Sequence, residues 1–310
     1  MRDFQIHFFN TIWSDAILLE KDQHFAMIDT ASQFYYPDLK WFLRKKKVQH
    51  LDFIILTHFH SDHYGNLAQI IADYQVDKLY LKHYYGIDGQ NSSGGEANDD
   101  IWRKELAAFA SIINKAQEKE TEIIFLDDLN KGDTTIHFNG VILELVDLKN
   151  RLYDTYNNKE SEYYQSKRFS ENFNSLAIFI NHLNHPIFLG ADMTDSTTDI
   201  SGFGKISEQE VAKFYKKHGL NKIELYKSCH HGGSGTNPFS LLALLKMDYL
   251  VITNTDRWLK NYSTIDDAKK VNPKVKILKC DYHLYSFKIT DKITYKKLRR
   301  KSLFLKLKKN

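Results

Sequence analysis

The chain lacks most of the features that announce an unusual architecture. It has two cysteines, Cys229 and Cys280, which cannot form a disulfide framework. Its 14 glycines are too few for a collagen-like chain. No heptad run and no internal repeat is visible, and no stretch approaches the roughly 18 uninterrupted apolar residues of a membrane span. There is no G-x-x-x-x-G-K-[ST] phosphate loop and no G-x-S-x-G elbow, which argues against a P-loop enzyme and a serine hydrolase. Near the N-terminus, Asp3, His7 and Asn10 interrupt any apolar core of a signal peptide. Together with the sparse cysteine, this sets the expectation of a cytoplasmic protein.

What is present is ordinary for a globular fold. Hydrophobic residues make up 42% of the 310 and charged residues 26%, and 20 Phe and 18 Tyr are too many for disorder. The length suits one large domain, here taken as residues 1–290, followed by a basic tail, residues 291–310. The tail holds nine Lys or Arg against one acid, Asp291, an excess of eight. That exceeds the net +4 of the whole chain, so the body is mildly acidic. A body built to track a nucleic-acid backbone is therefore not favoured. Leu298, Phe304, Leu305 and Leu307 among the cations would suit a basic amphipathic segment, which implies peripheral contact with an anionic membrane.

Hydrophobic patterning alternates strands and helices. Short strands are expected at Phe4–Phe9, Asp15–Glu20 and His24–Ile28, and a helix at Tyr36–Lys47. Leu51–Leu56 reads as a buried strand that empties into a polar loop, Thr57–Gly65, ahead of a helix near Asn66–Tyr74. A strand at Lys78–Leu81, a helix at Ile101–Gln117, a strand at Glu122–Leu126 and a hairpin over Thr134–Leu145 turning at Asn139-Gly140 follow. Residues 149–173 are polar and rich in Tyr, too long for a plain connector, and read as a lid or interface loop. Strands at Ser175–Ile180 and Ile187–Leu189, a helix at Glu208–His218, and a strand at Lys222–Tyr226 lead to a second polar loop, Lys227–Asn237. The alternation implies an α/β fold.

The chemistry concentrates in Thr57-His58-Phe59-His60-Ser61-Asp62-His63. Three imidazoles and a carboxylate within six residues are difficult to place in a core, and both are ligands for borderline metals. Alternate side chains of an extended segment share a face, so His58 and His60 point together. A turn after Ser61 lets Asp62 and His63 converge on a neighbouring point, so one segment can serve two metals. Cys229 is expected to point away from His230 and to be a buried thiol. His137, His182 and His185 sit at a hairpin and a turn and read as structural, whereas His83 and His283 head toward the first loop and the last strand as weaker site candidates.

H-x-H-x-D-H after a buried strand resembles the metallo-β-lactamase-fold hydrolases, over roughly residues 4–290. Asp29 at a strand end, Leu189-Gly190-Ala191-Asp192, and Ser228-Cys229-His230-His231-Gly232-Gly233 resemble that family's remaining motifs. Asn174-Ser175-Leu176 followed by Gly-Ala-Asp and His-His-Gly is similar to the hydrolase domain of competence DNA-uptake proteins. Ser14–Leu18, Phe25–Thr30, Leu51–His63 and Val76–Lys82 look like the catalytic module of phosphorylcholine esterases. The resemblance implies a four-layer αββα sandwich and a dinuclear centre of two divalent ions, zinc first, with manganese or iron as alternatives. His58 and His60 would hold one ion, Asp62 and His63 the other, Asp192 would bridge, and His230 would close the second site. Asp62 and His231 would be catalytic. His231 has two readings, a ligand in place of His230 or a donor to the substrate's charged oxygen. Asp29 would brace the metal loop. Many members carry a further histidine ahead of the bridging-aspartate strand. Here that stretch is Ser170-Glu171-Asn172-Phe173-Asn174-Ser175, so Glu171, Asn172 or water would stand in, with a weaker first site.

The implied reaction is hydrolysis by a hydroxide of the dinuclear centre, with a small or polymer-linked phosphodiester as substrate, rather than β-lactam hydrolysis. For a phosphocholine-type ester, Tyr84, Tyr85, Tyr153, Tyr156, Tyr163 and Tyr164 would supply an aromatic cage. The alternatives are a nuclease of the competence-protein type and a non-catalytic metal-binding interaction module.

Overall fold

Strand residues alternate between two apolar environments. Ile17 and Leu19 face one side of their strand and Ala16 and Leu18 the other; Ala26 and Ile28 divide from Phe25 and Met27 in the same way. Both faces are covered, which is why these strands read as near-continuous apolar runs. The computed structural model describes residues 3–86, 99–129, 134–150, 153, 170–193, 206–233 and 235–299.

One sheet contains β1 (Phe4–Phe8), β2 (Ala16–Lys21), β3 (His24–Thr30), β4 (His50–Ile55), β5 (Gln75–Leu81), β6 (Glu122–Phe125), β14 (His283–Ile289) and β15 (Ile293–Arg299). Their order is β15-β14-β1-β2-β3-β4-β5-β6. The other contains β7 (Thr135–Phe138), β8 (Val141–Val146), β9 (Ala177–His182), β10 (His185–Leu189), β11 (Leu225–Lys227), β12 (Tyr249–Ile252) and β13 (Lys276–Lys279), ordered β13-β12-β11-β10-β9-β8-β7. Both are mixed. β3 to β6 run parallel, as do β10 to β13, and the remaining pairs are antiparallel.

Three apolar clusters separate four layers. Phe4, Ile6, Phe8, Phe53 and Ile55 meet Phe138, Leu143, Ile178 and Leu225 between the sheets. Helices Tyr36–Lys45, Leu67–Asp73 and Asp99–Glu118 cover the outside of the first sheet through Leu39, Phe42, Leu67, Ile70 and Ile112. Helices Ile206–His218, Phe239–Leu245 and Thr264–Val271 cover the second through Val211, Phe214, Leu241, Leu242 and Ala268. This is the αββα sandwich expected from the resemblance. No helix among the described residues is long and apolar enough to cross a membrane.

Two expectations change. The strand leading to the second His loop is Leu225–Lys227, so Lys227 is a buried strand residue rather than the start of a loop. A separate tail from residue 291 does not hold over 293–299: β15 pairs with β14 from Ile289↔Ile293 to His283↔Arg299. Ile293 is buried, and Tyr295 packs against the inter-sheet core. Exposed Lys296 and Lys297 accompany them on the sheet's outermost strand, where lysines discourage further strand addition. Their density hid the strand from composition-based reading. Phe304, Leu305 and Leu307 lie outside the described residues.

The half-buried His182 packs edge-on against Phe4, ring centroids 5.4 Å apart. Burial first, then Lys21 and His185, lowers its pKa to about 4 from an ordinary 6.5. The unfolded chain therefore takes a proton between pH 6.5 and 4 that the folded chain refuses, and stability falls as pH falls through that window. Discounted for exposure, the loss is on the order of 1 kcal/mol. Urea unfolding of the parent chain and of His182→Phe at pH 7.5, 5.5 and 4.5 should show this extra slope in the parent only.

Candidate metal centre

The site forms where loops leave the C-terminal ends of neighbouring parallel strands. β3 ends near Asp29 and β4 delivers residues 57–63; β10 ends before Asp192 and β11 delivers residues 228–233. Backbone staples lock the first loop. Ser14 Oγ donates to the Asp62 carbonyl at 2.7 Å, and Thr30 Oγ1 to the His63 carbonyl at 2.8 Å. The Leu176 amide donates to Thr57 O at 3.0 Å, and the Asp192 amide to Ser175 Oγ at 2.9 Å. The Asn-Ser-Leu segment thus ties the first loop to the aspartate strand.

Left-handed backbone aims several of these side chains. Asp29 has φ +56°, Ala191 +45°, His230 +44° and His231 +52°. Two consecutive non-glycine residues in this region are strained, and such strain gathers at functional sites. Here it breaks the alternation expected for an extended segment, and both imidazoles reach the centre. Cys229 is buried below them, its amide donating to the Tyr226 hydroxyl at 3.0 Å.

Asp192, 1% exposed, stands at the middle. Its Oδ1 is 3.4 Å from His63 Nε2 and 3.5 Å from His231 Nε2. Its Oδ2 is 3.8 Å from both His58 Nε2 and His230 Nε2. His58 Nε2 and His60 Nδ1 are 3.0 Å apart. Asp62 Oδ2 lies 3.1 Å from His231 Nε2 and 3.9 Å from His63 Nε2. The sequence reading set His230 beside Asp62 and His63. In the fold His231 occupies that place, and His230 turns toward the Asp192 oxygen that faces His58.

Two outer carboxylates orient the inner imidazoles. Asp29 accepts from the Thr57 amide and hydroxyl, both at 2.8 Å, and its Oδ2 lies 2.7 Å from His63 Nδ1. Asp15 Oδ1 accepts from Thr253 Oγ1 at 2.6 Å and lies 3.2 Å from His231 Nδ1. Its other oxygen pairs with Lys227 Nζ, a fully buried ammonium. Sequence reading missed Lys227 and the role of Asp15. A lysine at the end of an otherwise apolar strand is the signal that was available.

Charge follows this geometry. Burial would lower the His63 and His231 pKa values, but Asp192 with Asp29 and Asp62 around one, and Asp192 with Asp15 around the other, hold both well above the usual value. His58, buried and beside His63 and His60, is held well below it. Burial would raise the Asp192 carboxyl, yet His231, His63 and His230 keep it well below the carboxylate range.

The arrangement fits divalent cations. Asp15, His63, Asp192 and His231 present one donor atom each within 4.8 Å of one another, and so do His58, His60 and Asp192. Among the described residues, His63 Nε2 and Asp192 Oδ1 are buried with no hydrogen-bond partner. Two neighbouring buried atoms, each able to offer a lone pair and neither hydrogen-bonded, are what a cation would satisfy. Asp15 has both oxygens engaged, so it suits an orienting role, whereas Asp62, 29% exposed, opens toward solvent.

The other candidates fall elsewhere. His83 stacks on Phe125 at 3.8 Å, with Nδ1 3.1 Å from Asp127. His137 is exposed, His185 Nδ1 lies 3.1 Å from Glu224, and His283 Nδ1 lies 3.6 Å from Asp281. Tyr84 is 5% exposed and donates to Glu105 at 2.6 Å. Tyr85 and Tyr153 stack face to face at 4.1 Å, which leaves no room for a cation between them. Tyr156, Tyr163 and Tyr164 lie outside the described residues. An aromatic wall that sequence reading missed does stand at the centre. Trp13 lies edge-on 5.7 Å from His231 and 6.2 Å from Trp258, over which Arg257 sits at 5.7 Å.

Breaking the buried ion pair should be costly. Lys227→Met leaves Asp15 charged and buried, and should cost about 3–5 kcal/mol in denaturant unfolding. Asp15→Asn combined with Lys227→Met should recover part of that loss.

Residues 14–148 match the profile of the metallo-beta-lactamase superfamily. No curated protein matches the sequence. Among solved structures, the metallo-beta-lactamase fold protein YhfI from Bacillus subtilis aligns over 92% of this chain and 100% of its own, at 12% identity and a TM-score of 0.50. A diphosphatase from the PhnP family aligns over 92% of this chain and 98% of its own, at 12% identity and 0.45. The metallo-beta-lactamase MIM-1 from Novosphingobium pentaromativorans aligns over 86% and 78%, at 13% and 0.38. At such identities the likeness shows the fold alone, and the two scores below 0.5 carry no argument. The profile match over residues 14–148, the four-layer fold and the buried His/Asp cluster agree with one another: this part of the chain is similar to the metallo-beta-lactamase superfamily, and the cluster is a candidate metal site.

Proposed function

We propose that the protein is a phosphodiesterase working through two divalent ions, zinc first among them. The observation that carries this reading is Asp192, whose two oxygens face two different groups of imidazoles. Asp62, His63 and His231 with Oδ1 would hold one ion; His58, His60 and His230 with Oδ2 would hold the other. When bound, such a pair acidifies water and clamps the attacking and leaving oxygens of a phosphoryl group.

The chain's own residues supply the rest. Asp29 and Asp15 fix the rings of His63 and His231 from behind, so their Nε2 atoms stay on target. Asp62 is the carboxylate open to solvent, placed to take the proton that water releases. His230, 34% exposed, lies on the open side, where its ring can also meet an anionic oxygen of the substrate. Trp13 and Trp258 form one wall of the approach, and Arg257 adds a cation that favours an anionic substrate. The resemblance of residues 14–18, 25–30, 51–63 and 76–82 to phosphorylcholine esterases supports the phosphodiester class. The described tyrosines lend the phosphocholine ester itself no support.

Metal analysis by mass spectrometry, on protein purified without added metal or chelator, should find about two ions per chain. His58→Ala and Asp192→Ala should both hold fewer. On bis(p-nitrophenyl) phosphate, Asp192→Ala should lower kcat by about 10³-fold or more. A panel with p-nitrophenyl phosphorylcholine and single-stranded DNA and RNA reads the substrate. Cleavage confined to the nucleic acids would move the assignment to the nuclease alternative. No metal, even after reconstitution with zinc or manganese, would overturn the enzyme reading in favour of a binding module.

A further inference from the structure

A cavity of about 380 Å³ lies between helix Tyr36–Lys45 and the β14–β15 pair, and its described lining contains no residue of the His/Asp centre. Leu284 and Leu298, register partners on the two strands, give it an apolar floor. Asp38, Trp41 and Lys45 line it from the helix, spaced so that they share one side. Asn10, just past the end of β1, completes it. Asn10 is 3% exposed, and its amide nitrogen is buried with no hydrogen-bond partner among the described residues. A buried donor left unbonded is costly and calls for an acceptor.

The two ends of the cavity differ. The Ile12 amide donates to the hydroxyl of Tyr35, just ahead of the helix, at 2.9 Å. Further along the helix, Phe42 meets Phe9 and His7, each with ring centroids 5.2 Å apart. The helix and β1 therefore run in opposite directions, which sets Asn10 toward the Asp38 end. Asp38 is buried, so that end is deep. Lys45 is exposed and lies two helical turns away, about 10 Å along the axis. Its Nζ rests 5.1 Å over the Trp41 ring, itself 42% exposed, at the mouth.

We propose that this cavity is a second binding site and that it takes an adenine mononucleotide, base inward and phosphate at the mouth. The volume falls in the range of small-molecule sites. Trp41 and the two leucines suit a flat ring, and a base gains from stacking on an aromatic side chain. Asn10 supplies a pair of groups that matches adenine: Nδ2 donates to a ring nitrogen, and the amide oxygen accepts from the neighbouring 6-amino group. The Asp38 carboxylate makes the same end favour a ligand edge that carries N–H and oppose one that carries negative charge. Lys45 stands where the phosphate emerges, at a distance from Asp38 comparable with the span of a nucleotide from base edge to phosphate. A small carboxylic acid fits less well, because its charge would meet Asp38 at depth or leave Asn10 unbonded. The inference does not depend on the dinuclear reading above.

The test is isothermal calorimetry of the full chain as purified, with adenosine monophosphate, adenosine and inosine monophosphate as probes. Adenosine monophosphate should bind, and adenosine about 3-fold more weakly for want of Lys45. Inosine monophosphate has the same shape but a carbonyl in place of the 6-amino group, and should bind about 10-fold more weakly. Asn10→Leu and Trp41→Ala should each weaken adenosine monophosphate about 10-fold. Lys45→Ala should bring it to the level of adenosine and leave adenosine unchanged. His58→Ala should bind as the parent does, which separates this site from the His/Asp centre. Far-ultraviolet circular dichroism checks the fold of each variant, and the half-exposed Trp41 keeps the test open should Asn10→Leu not fold. No heat from adenosine or its monophosphate with the parent chain would overturn the inference and leave the Asn10 amide to water. So would equal binding of inosine monophosphate, indifference to both Asn10→Leu and Trp41→Ala, or loss of binding in His58→Ala.

Discussion

A full negative charge at Asp192, almost sealed from water, is the constraint around which the centre is arranged. An isolated carboxylate in such a place would be very costly and would protonate instead. It stays ionised because four imidazoles converge on its two oxygens, and His231, His63 and His230 draw its pKa down against the effect of burial. Those imidazoles in turn need their outward nitrogens satisfied. Asp29 does this for His63 and Asp15 for His231, and Asp15 is balanced by buried Lys227. Each shell of charge thus requires the next, until the network ends in an apolar core that excludes water.

The backbone bears the cost of this convergence. Asp29, Ala191, His230 and His231 all have left-handed φ without being glycine, and Trp13 beside them has φ +50°. Such conformations persist only where surroundings over-determine them. Here the surroundings are specific hydrogen bonds. The His230 amide donates to Ala191 O at 2.8 Å, and Asn237 grips Cys229 through both its amide and its carbonyl. Gly190 lets the aspartate strand approach: a Cβ there would meet Cys229 Sγ at 2.6 Å. Strain, close approach and buried charge coincide at one point, as expected of a site kept for chemistry rather than for stability.

The two sheets contribute in parallel fashion. In each, an aspartate stands at or just past the end of one strand and a histidine loop follows its parallel neighbour: Asp29 and residues 57–63 with β3 and β4, Asp192 and residues 228–233 with β10 and β11. Parallel neighbours release their loops at the same end, so four loops meet there although long crossovers join the strands. The chain then splits the work. One aspartate braces from outside and the other lies between the imidazoles.

Much of this was legible in residue order. Period-two alternation and continuous apolar runs determined the strands and the layered α/β class, and the spacing of His58, His60, Asp62 and His63 marked the chemistry, because both depend on near neighbours in sequence. Residue order could not say which of His230 and His231 sits beside Asp62. That depends on a left-handed turn held by Ala191 and Asn237 and by packing against Trp13, all distant in the chain or outside its local pattern. Nor could it show that Lys227 is buried, since a lysine is accepted in an interior only where a partner such as Asp15, 212 residues away, is brought to it. The basic run after residue 291 hid an edge strand for the same reason: composition reports charge, while pairing with His283–Ile289 depends on the sheet edge that the rest of the chain presents to it. Sequence singled out the side chains that gather at this centre; only the tertiary structure decided how they are arranged there, because the arrangement rests on contacts between residues far apart along the chain.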